Sequence, residues 1–185
     1  ETDKQLSLSL LNTSREDFNT AHAISAHSLI TMSKYALPLL SCQYDHDHDH
    51  DGESDDHDDD GIGIRSPSIT TLSYLGATRA VSNYNIMGPA KASLESIVRG
   101  LAFELSPPPH RIRVNAVSAG PVNTLSARGI KDFGILRSQV EGRSMLRRSV
   151  TGEEVGNVVD FVASGKASGI TGQVLFCDGG YSSVG

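Results

Sequence analysis

Short β-branched or apolar runs, bounded by glycine or proline, alternate along this chain with longer stretches whose apolar residues recur at helical spacing. That alternation restricts the fold more than any other feature. Ser14-Arg15-Glu16-Asp17 reads as a helix start, with Ser14 as cap and an acid three residues on. An amphipathic helix follows through Ala21, Ile24, Leu29, Met32 and Leu37, and Pro38 is expected to stop or bend it. Residues 68–74 read as a buried strand ended by Gly76. Residues 84–105 read as a helix, with Ala90, Leu94, Ile97, Leu101 and Leu105 on one face and Ser106-Pro107-Pro108-Pro109 closing it. Residues 111–117 are the next strand, and Ser118-Ala119-Gly120-Pro121 a turn at its end. Residues 122–150 read as loop and short helix. Thr151-Gly152-Glu153-Glu154 is a capping box opening a helix through Val155, Val158, Val159, Phe161 and Val162. After a turn at 169–172, residues 173–177 form a last strand ended by Asp178-Gly179-Gly180. The order α, β, α, β, α, β predicts an α/β fold: a parallel sheet with helices on both faces and right-handed crossovers.

A chain of 185 residues with 38% hydrophobic residues suits one soluble globular domain. No run of 18 apolar residues reads as a membrane span. The start at Glu1-Thr2-Asp3-Lys4 is read as a cut rather than a natural end. Two cysteines, Cys42 and Cys177, are too few for a disulfide framework, so buried free thiols in a reducing compartment are expected. The net charge of −6 (16 − 22) is concentrated in residues 45–60, which hold nine Asp and Glu53. Without those ten acids the balance is 16 − 12, or +4, and a mildly basic body suits an acidic partner or a phosphate-bearing ligand. Residues 43–66 lack an apolar face to offset ordering entropy and read as a disordered Asp/His-rich surface insertion. His46, His48, His50 and His57 within it suggest adventitious Zn or Ni binding, and no functional metal site is expected. No basic stripe with interleaved aromatics supports a nucleic-acid role.

The chemistry concentrates in Leu72-Ser73-Tyr74-Leu75-Gly76-Ala77 and in the run from Asn83 to Glu95. Tyr84 and Lys91 stand seven residues apart. On a helix, seven steps fall about 20° from two full turns, so both side chains leave one side. Tyr74 lies at the mouth of the preceding strand, where ligands of open parallel sheets bind. A phenol can donate to an oxygen that gains negative charge, and a nearby lysine can hold a ribose diol and favour the anionic form. Spacing alone favours a plainer reading, in which a surface lysine and a half-buried tyrosine happen to share a face.

Taken together these residues resemble the short-chain dehydrogenase/reductase superfamily, and specifically its divergent enoyl-acyl-carrier-protein reductase branch. Most of the superfamily has Tyr-x-x-x-Lys; Met87 stands four before Lys91 here, and Tyr84 to Lys91 matches the branch's Tyr-x6-Lys. Tyr74 matches its additional tyrosine. Further matches are Arg113-Val114-Asn115, Ser118-Ala119-Gly120-Pro121, Thr124-Leu125, Gly129-Ile130-Lys131-Asp132-Phe133, Arg147-Arg148, Glu154-Val155-Gly156-Asn157, Gly169-Ile170-Thr171-Gly172 and Asp178-Gly179-Gly180. The resemblance implies a Rossmann-like doubly wound sheet, of which residues 1–185 are the C-terminal part with about three strands. It implies reduction of the trans-2 double bond of an enoyl thioester on acyl carrier protein, with NADH as cofactor, and a homotetramer. By carry-over, Tyr84 binds the thioester carbonyl and stabilises the enolate, Lys91 binds the nicotinamide ribose and Tyr74 lines the acyl pocket. Ser118, Gly120, Pro121, Val122 and Thr124 are on the cofactor side. Residues 125–135, with Leu125, Ile130 and Phe133, resemble a substrate lid, where an ordinary connecting loop is the plainer reading. The compartment would be the cytoplasm of a bacterium or the plastid of a eukaryote.

Two departures stand out. Asn123 occupies a position where the family usually has Arg. No glycine-rich dinucleotide fingerprint is present, since Gly61-Ile62-Gly63 lies in the insertion and not between a strand and a helix. The first four strands and the adenine-side pocket are therefore expected upstream of Glu1, and the strand at 68–74 is expected to show an open edge. The alternatives are another superfamily enzyme acting on a ketone or alcohol, and an inactive fragment serving as a binding module. Titrated as the 185-residue chain alone, the protein is expected to bind reduced nicotinamide cofactor very weakly or not at all. Micromolar affinity would refute this.

Overall fold

A computed structural model describes residues 9–41, 67–124, 127 and 132–184. The Asp/His-rich tract with its four histidines, Cys42, and the lid residues Leu125 and Ile130 lie outside the described residues.

The first amphipathic stretch is one continuous helical run in three parts: α1 (Arg15–His22), a π-helical turn (Ala23–His27) and α2 (Ser28–Ser41). Ser14 caps it, its Oγ accepting from the Asp17 backbone N at 3.0 Å and satisfying a donor the helix cannot. Pro38, expected to stop or bend this helix, lies inside α2. Its missing N–H costs one backbone bond without ending the run before Ser41. No helix among the described residues is long and apolar enough to cross a membrane.

Three parallel strands form one sheet in the order β1 (Ser68–Ser73), β2 (Arg113–Ala119), β3 (Val174–Cys177). The register sets Ser68 against Arg113, Ser73 against Ser118, and Ala119 against Cys177. The middle strand was expected at 111–117 and is displaced by two residues. Arg111 adopts a left-handed φ of 51°, so pairing begins only at Arg113. Ser118 and Ala119, read as a turn, are its last paired residues. The third strand starts at Val174 because the Gln173 N donates instead to Asn115 Oδ1 at 3.0 Å.

Between β1 and β2 runs α3 (Met87–Leu105); between β2 and β3 run α4 (Phe133–Arg143) and α5 (Gly152–Ala163). β2 is the centre of the core, as a strand buried on both faces must be. Its Val114 and Ala116 pack under Leu94, Val98, Ala102 and Leu105 of α3 and Leu29 of α2. Its Val117 packs with Val155 and Val162 of α5 on the opposite face. Successive side chains of a strand point to opposite faces, so these two clusters sandwich the sheet. Each of the buried Leu and Val side chains stabilises the fold by about 2 kcal/mol. The capping box of α5 forms as expected: Thr151 Oγ1 accepts from the Glu154 N, and Glu154 Oε2 accepts from the Thr151 N. Cys177, expected to be buried, is only half-buried at the end of β3.

No strand among the described residues pairs with the outer edge of β1. A groove of about 700 Å³ runs beside it, between β1 and α2, with Leu29, Met32, Ile69 and Leu72 among its walls. Met32 and Leu72 are exposed, which matches the open edge read from the sequence.

One buried cation fastens α5 to the sheet. Arg113 points to the α5 face and its guanidinium donates to the carbonyls of Val162, Ala163, Ser164 and Ala167 at 2.7 to 3.3 Å. Three of these carbonyls, Val162 to Ser164, end α5 and one, of Ala167, belongs to the turn after it, so the positive charge sits at the helix C-terminus, where it is favoured. Arg113→Met is expected to lower the unfolding free energy by about 2–4 kcal/mol in urea titration, since it strands buried carbonyls. Arg113→Lys should recover less than half of that, because one ammonium cannot reproduce the fork.

Candidate active site

The carboxyl ends of β1 and β2 open into a cavity of about 420 Å³. Ligands of open α/β sheets bind at such strand ends. One wall comes from Leu72, Ser73 and Tyr74 at the end of β1, and the next from Tyr84 and Lys91 around the start of α3. Ala119 to Val122 and Thr124, after β2, form the facing wall. Phe133 and Leu136 of α4 close the mouth, and Gly152 and Val155 of α5 complete the lining.

The helix was expected from residue 84, and α3 is assigned from Met87. Pro89 has no N–H to close a turn on Asn85, so the bonded ladder starts late while Tyr84 leads into it through one helical turn, which keeps Tyr84 and Lys91 on one side. Asn83 adopts a left-handed φ of 60° and redirects the chain, a conformation asparagine tolerates better than most residues. The Tyr84 carbonyl then accepts from the Gly88 N at 3.0 Å, which anchors it to the first turn of α3. Its ring lies against Gly76, where a Cβ would stand 2.4 Å from Tyr84 Cδ1. Gly76 thus makes room for the ring besides ending the strand.

The two phenols pack edge to face, with ring centroids 4.7 Å apart and an interplanar angle of 61°. Burial pushes the Tyr74 hydroxyl up to about 12, and Tyr181 nearby adds to the shift. Burial, then the neighbouring Tyr74, raises the Tyr84 hydroxyl as well. Near neutral pH both are protonated phenols, so Tyr84 offers an O–H donor and not a phenolate base. Lys91 Nζ donates to the Leu72 carbonyl at 2.8 Å. Burial lowers its ammonium from the ordinary value, and Glu95 partly opposes that. The site thus combines a neutral phenol donor and a half-buried ammonium in an apolar cleft. Such a pair can stabilise negative charge developing on a bound oxygen.

Of the remaining residues singled out by sequence, Gly120, Pro121, Val122 and Thr124 line the cavity. A Cβ on Gly120 would stand 3.1 Å from Asp178 Cα, so this wall stays thin. Ser118 does not line it. Strand alternation turns its side chain toward the α3 layer, where it is fully buried. Phe133 lines the mouth beside Leu136. Sequence reasoning missed Ser73, Ser82, Asn83, Leu136, Gly152 and Val155 as cavity residues. The Ser82-Asn83 dipeptide carried a turn signal that could have moved the helix start past Tyr84. Leu136 and Val155 carried none, since each reads as an ordinary apolar helix residue. Among the described residues no group of His, Cys, Asp and Glu could hold a metal ion.

A family model described as Enoyl-(Acyl carrier protein) reductase matches residues 62–182. The enoyl-acyl-carrier-protein reductase (NADH) FabI of Neisseria meningitidis serogroup B is 47% identical over 169 residues, which are 91% of this chain and 56% of that protein. The protein of the same name from Escherichia coli K12 is 42% identical over 168 residues, 91% of this chain and 55% of its own length. The crystal structure of the Bacillus cereus enoyl-acyl carrier protein reductase with NADP+ and indole naphthyridinone superposes with a TM-score of 0.83 at 39% identity, covering 100% of this chain and 62% of that one. The chain therefore spans little more than half the length of the relatives it matches. On the matched residues and the shared fold, the chain belongs to the enoyl-acyl-carrier-protein reductase family.

Proposed function

We propose that this chain is the catalytic part of an enzyme that reduces the trans-2 double bond of an enoyl thioester carried on acyl carrier protein, with NADH as reductant. The observation that carries the reading is the convergence of Tyr84, Tyr74 and Lys91 on one apolar cavity at the strand ends. The relatives' name, enoyl-acyl-carrier-protein reductase (NADH), supports the same substrate and cofactor.

The cavity suits a nicotinamide ring with its ribose. Its volume lies within the range of small-ligand pockets, and it has an ammonium on one side and a narrow Gly120–Pro121 wall on the other. An ammonium has three donors and Leu72 takes one, leaving two for a ribose diol on Lys91. Pro121, Val122 and Thr124 would flank the ring and pyrophosphate. Bound nicotinamide supplies a hydride to the β-carbon of the enoyl group. Tyr84 donates its O–H to the thioester oxygen, and that bond strengthens as the oxygen gains enolate charge. A proton from solvent would then add at the α-carbon of the enolate, giving the saturated thioester. Tyr74 holds the Tyr84 ring edge-on and lines the acyl channel. Phe133, with Leu125 and Ile130 of the same lid segment, would cover the substrate and exclude water. Ser118 would act only from beneath the cofactor wall, as a packing residue. The working form is proposed as a homotetramer, in the cytoplasm of a bacterium or the plastid of a eukaryote.

The tests use the complete polypeptide containing this chain. Tyr84→Phe keeps the ring on Gly76 and removes the donor, so kcat on an enoyl thioester should fall about 10²–10³-fold. The Kd for NADH should stay within about threefold, because that hydroxyl serves the substrate. Lys91→Met should instead raise the NADH Kd at least about tenfold. Turnover of ketones or alcohols in place of enoyl thioesters would overturn the reading.

A further inference from the structure

Glu95 is the one buried acid on the α3 face that meets the site, and the chemistry above leaves it idle. It lies one turn beyond Lys91 and is 7% exposed. No ion pair holds it among the described residues; its carboxylate accepts from Ser73 Oγ at 2.6 Å. A buried carboxylate is costly where the same stripe of α3 is otherwise filled by Ala90, Leu94 and Val98. Packing alone therefore does not account for it.

Its partner gives the reason. The last residues of the β1 segment are tied to the α3 segment one after another. Leu72 receives a bond from Lys91, Ser73 gives one to Glu95, and Tyr74 stacks edge-on against Tyr84. Ser73 and Lys91 both line the cavity. We propose that Glu95 is a positioning residue for this site: through Ser73 it fixes the strand end that presents Tyr74, and its charge is the buried counter-charge of the Lys91 ammonium. The role rests on the reductase reading, in which Lys91 holds the cofactor.

Residues four apart on a helix face each other, and Glu95 opposes the loss of the Lys91 proton caused by burial. The titratable groups that share the cavity with Lys91 are Tyr84, before its helix, and Tyr74, after β1, and Glu95 lies four residues on along the same helix. The π-helical turn and α2, which share the outer groove with Lys91, bring Ile24, Ser25, Ser28, Leu29 and Met32 there, and none titrates. α4 brings Phe133 and Leu136. The described lining of the cavity and of the groove contains no Asp or Glu, and Glu95 stands one turn along the helix from Lys91.

Two substitutions in the complete polypeptide separate its two tasks. E95Q keeps the acceptor for Ser73 and removes the charge. NADH affinity, followed by fluorescence across pH, should then decline about one pH unit earlier on the alkaline side, with the Kd ratio to wild type rising toward about tenfold only above the wild-type alkaline limit. S73A keeps the charge and frees the strand end, so kcat should fall about tenfold with the NADH Kd unchanged. An alkaline limit that stays put in E95Q, with only the melting temperature lowered, would make Glu95 structural and overturn the inference. A shifted NADH limit in E95Q, alongside wild-type protein that turns over no enoyl thioester, would sink the reductase reading and leave Glu95 in its role.

Discussion

Everything at the site depends on the lacing of one strand end to the helix after it. Leu72, Ser73 and Tyr74 are joined in turn to Lys91, Glu95 and Tyr84. Each contact is modest; a hydrogen bond contributes about 1 kcal/mol net and an aromatic pair about the same. Together they fix three side chains from separate segments around one cavity, which is the precondition for any catalysis by orientation. Gly76 is the steric condition for the lacing, since any Cβ there would occupy the space of the Tyr84 ring. The left-handed turn at Asn83 is the backbone condition.

The lacing holds because the elements it joins are fixed from below. β2 is buried on both faces, with α2 and α3 on one side and α5 on the other. Polar residues of β2 fasten the later segments of the chain. Arg113 closes the end of α5, and Asn115 binds the turn at Ile170 and the Gln173 N. Asp178 takes the backbone N–H groups of Gly180 and Ser182 and so holds the chain end beneath Gly120. β1 is the exception. It is sealed toward β2 and open on its outer edge, and the apolar side chains of α2 border that opening. Among the described residues the outer edge of β3 is likewise unpaired, in a chain that spans little more than half of its relatives.

The fold was legible because its signals are periodic and local. The α3 stripe, the β-branched run before Tyr74 and the Thr151 capping box each specify an element without help from the rest of the chain. Boundaries were less legible where one residue changes the backbone: Arg111, in a left-handed conformation, delayed β2, and Pro89, with no N–H, delayed the bonded start of α3 past Tyr84. Pro38 lies within α2 and does not stop it before Ser41. At the site, the resemblance named the tyrosines and the lysine, and the helical turn from Tyr84 to Gly88 agrees with the spacing that put Tyr84 and Lys91 on one side. Glu95 escaped notice because a lone acid in a helix reads as surface until its burial is known. Ser118 shows the opposite error, since a motif residue at a strand end can face the core rather than the cavity.

The central claim is that Tyr84 and Lys91 meet the substrate and the cofactor, respectively, from one side of the same cleft. A crystal structure of the complete enzyme with oxidised cofactor and an enoyl thioester tests it most directly. Tyr84 Oη is expected within about 3.2 Å of the thioester oxygen and Lys91 Nζ within the same reach of the ribose hydroxyls. A thioester oxygen bound elsewhere, with Tyr84 turned from it, would contradict the assignment.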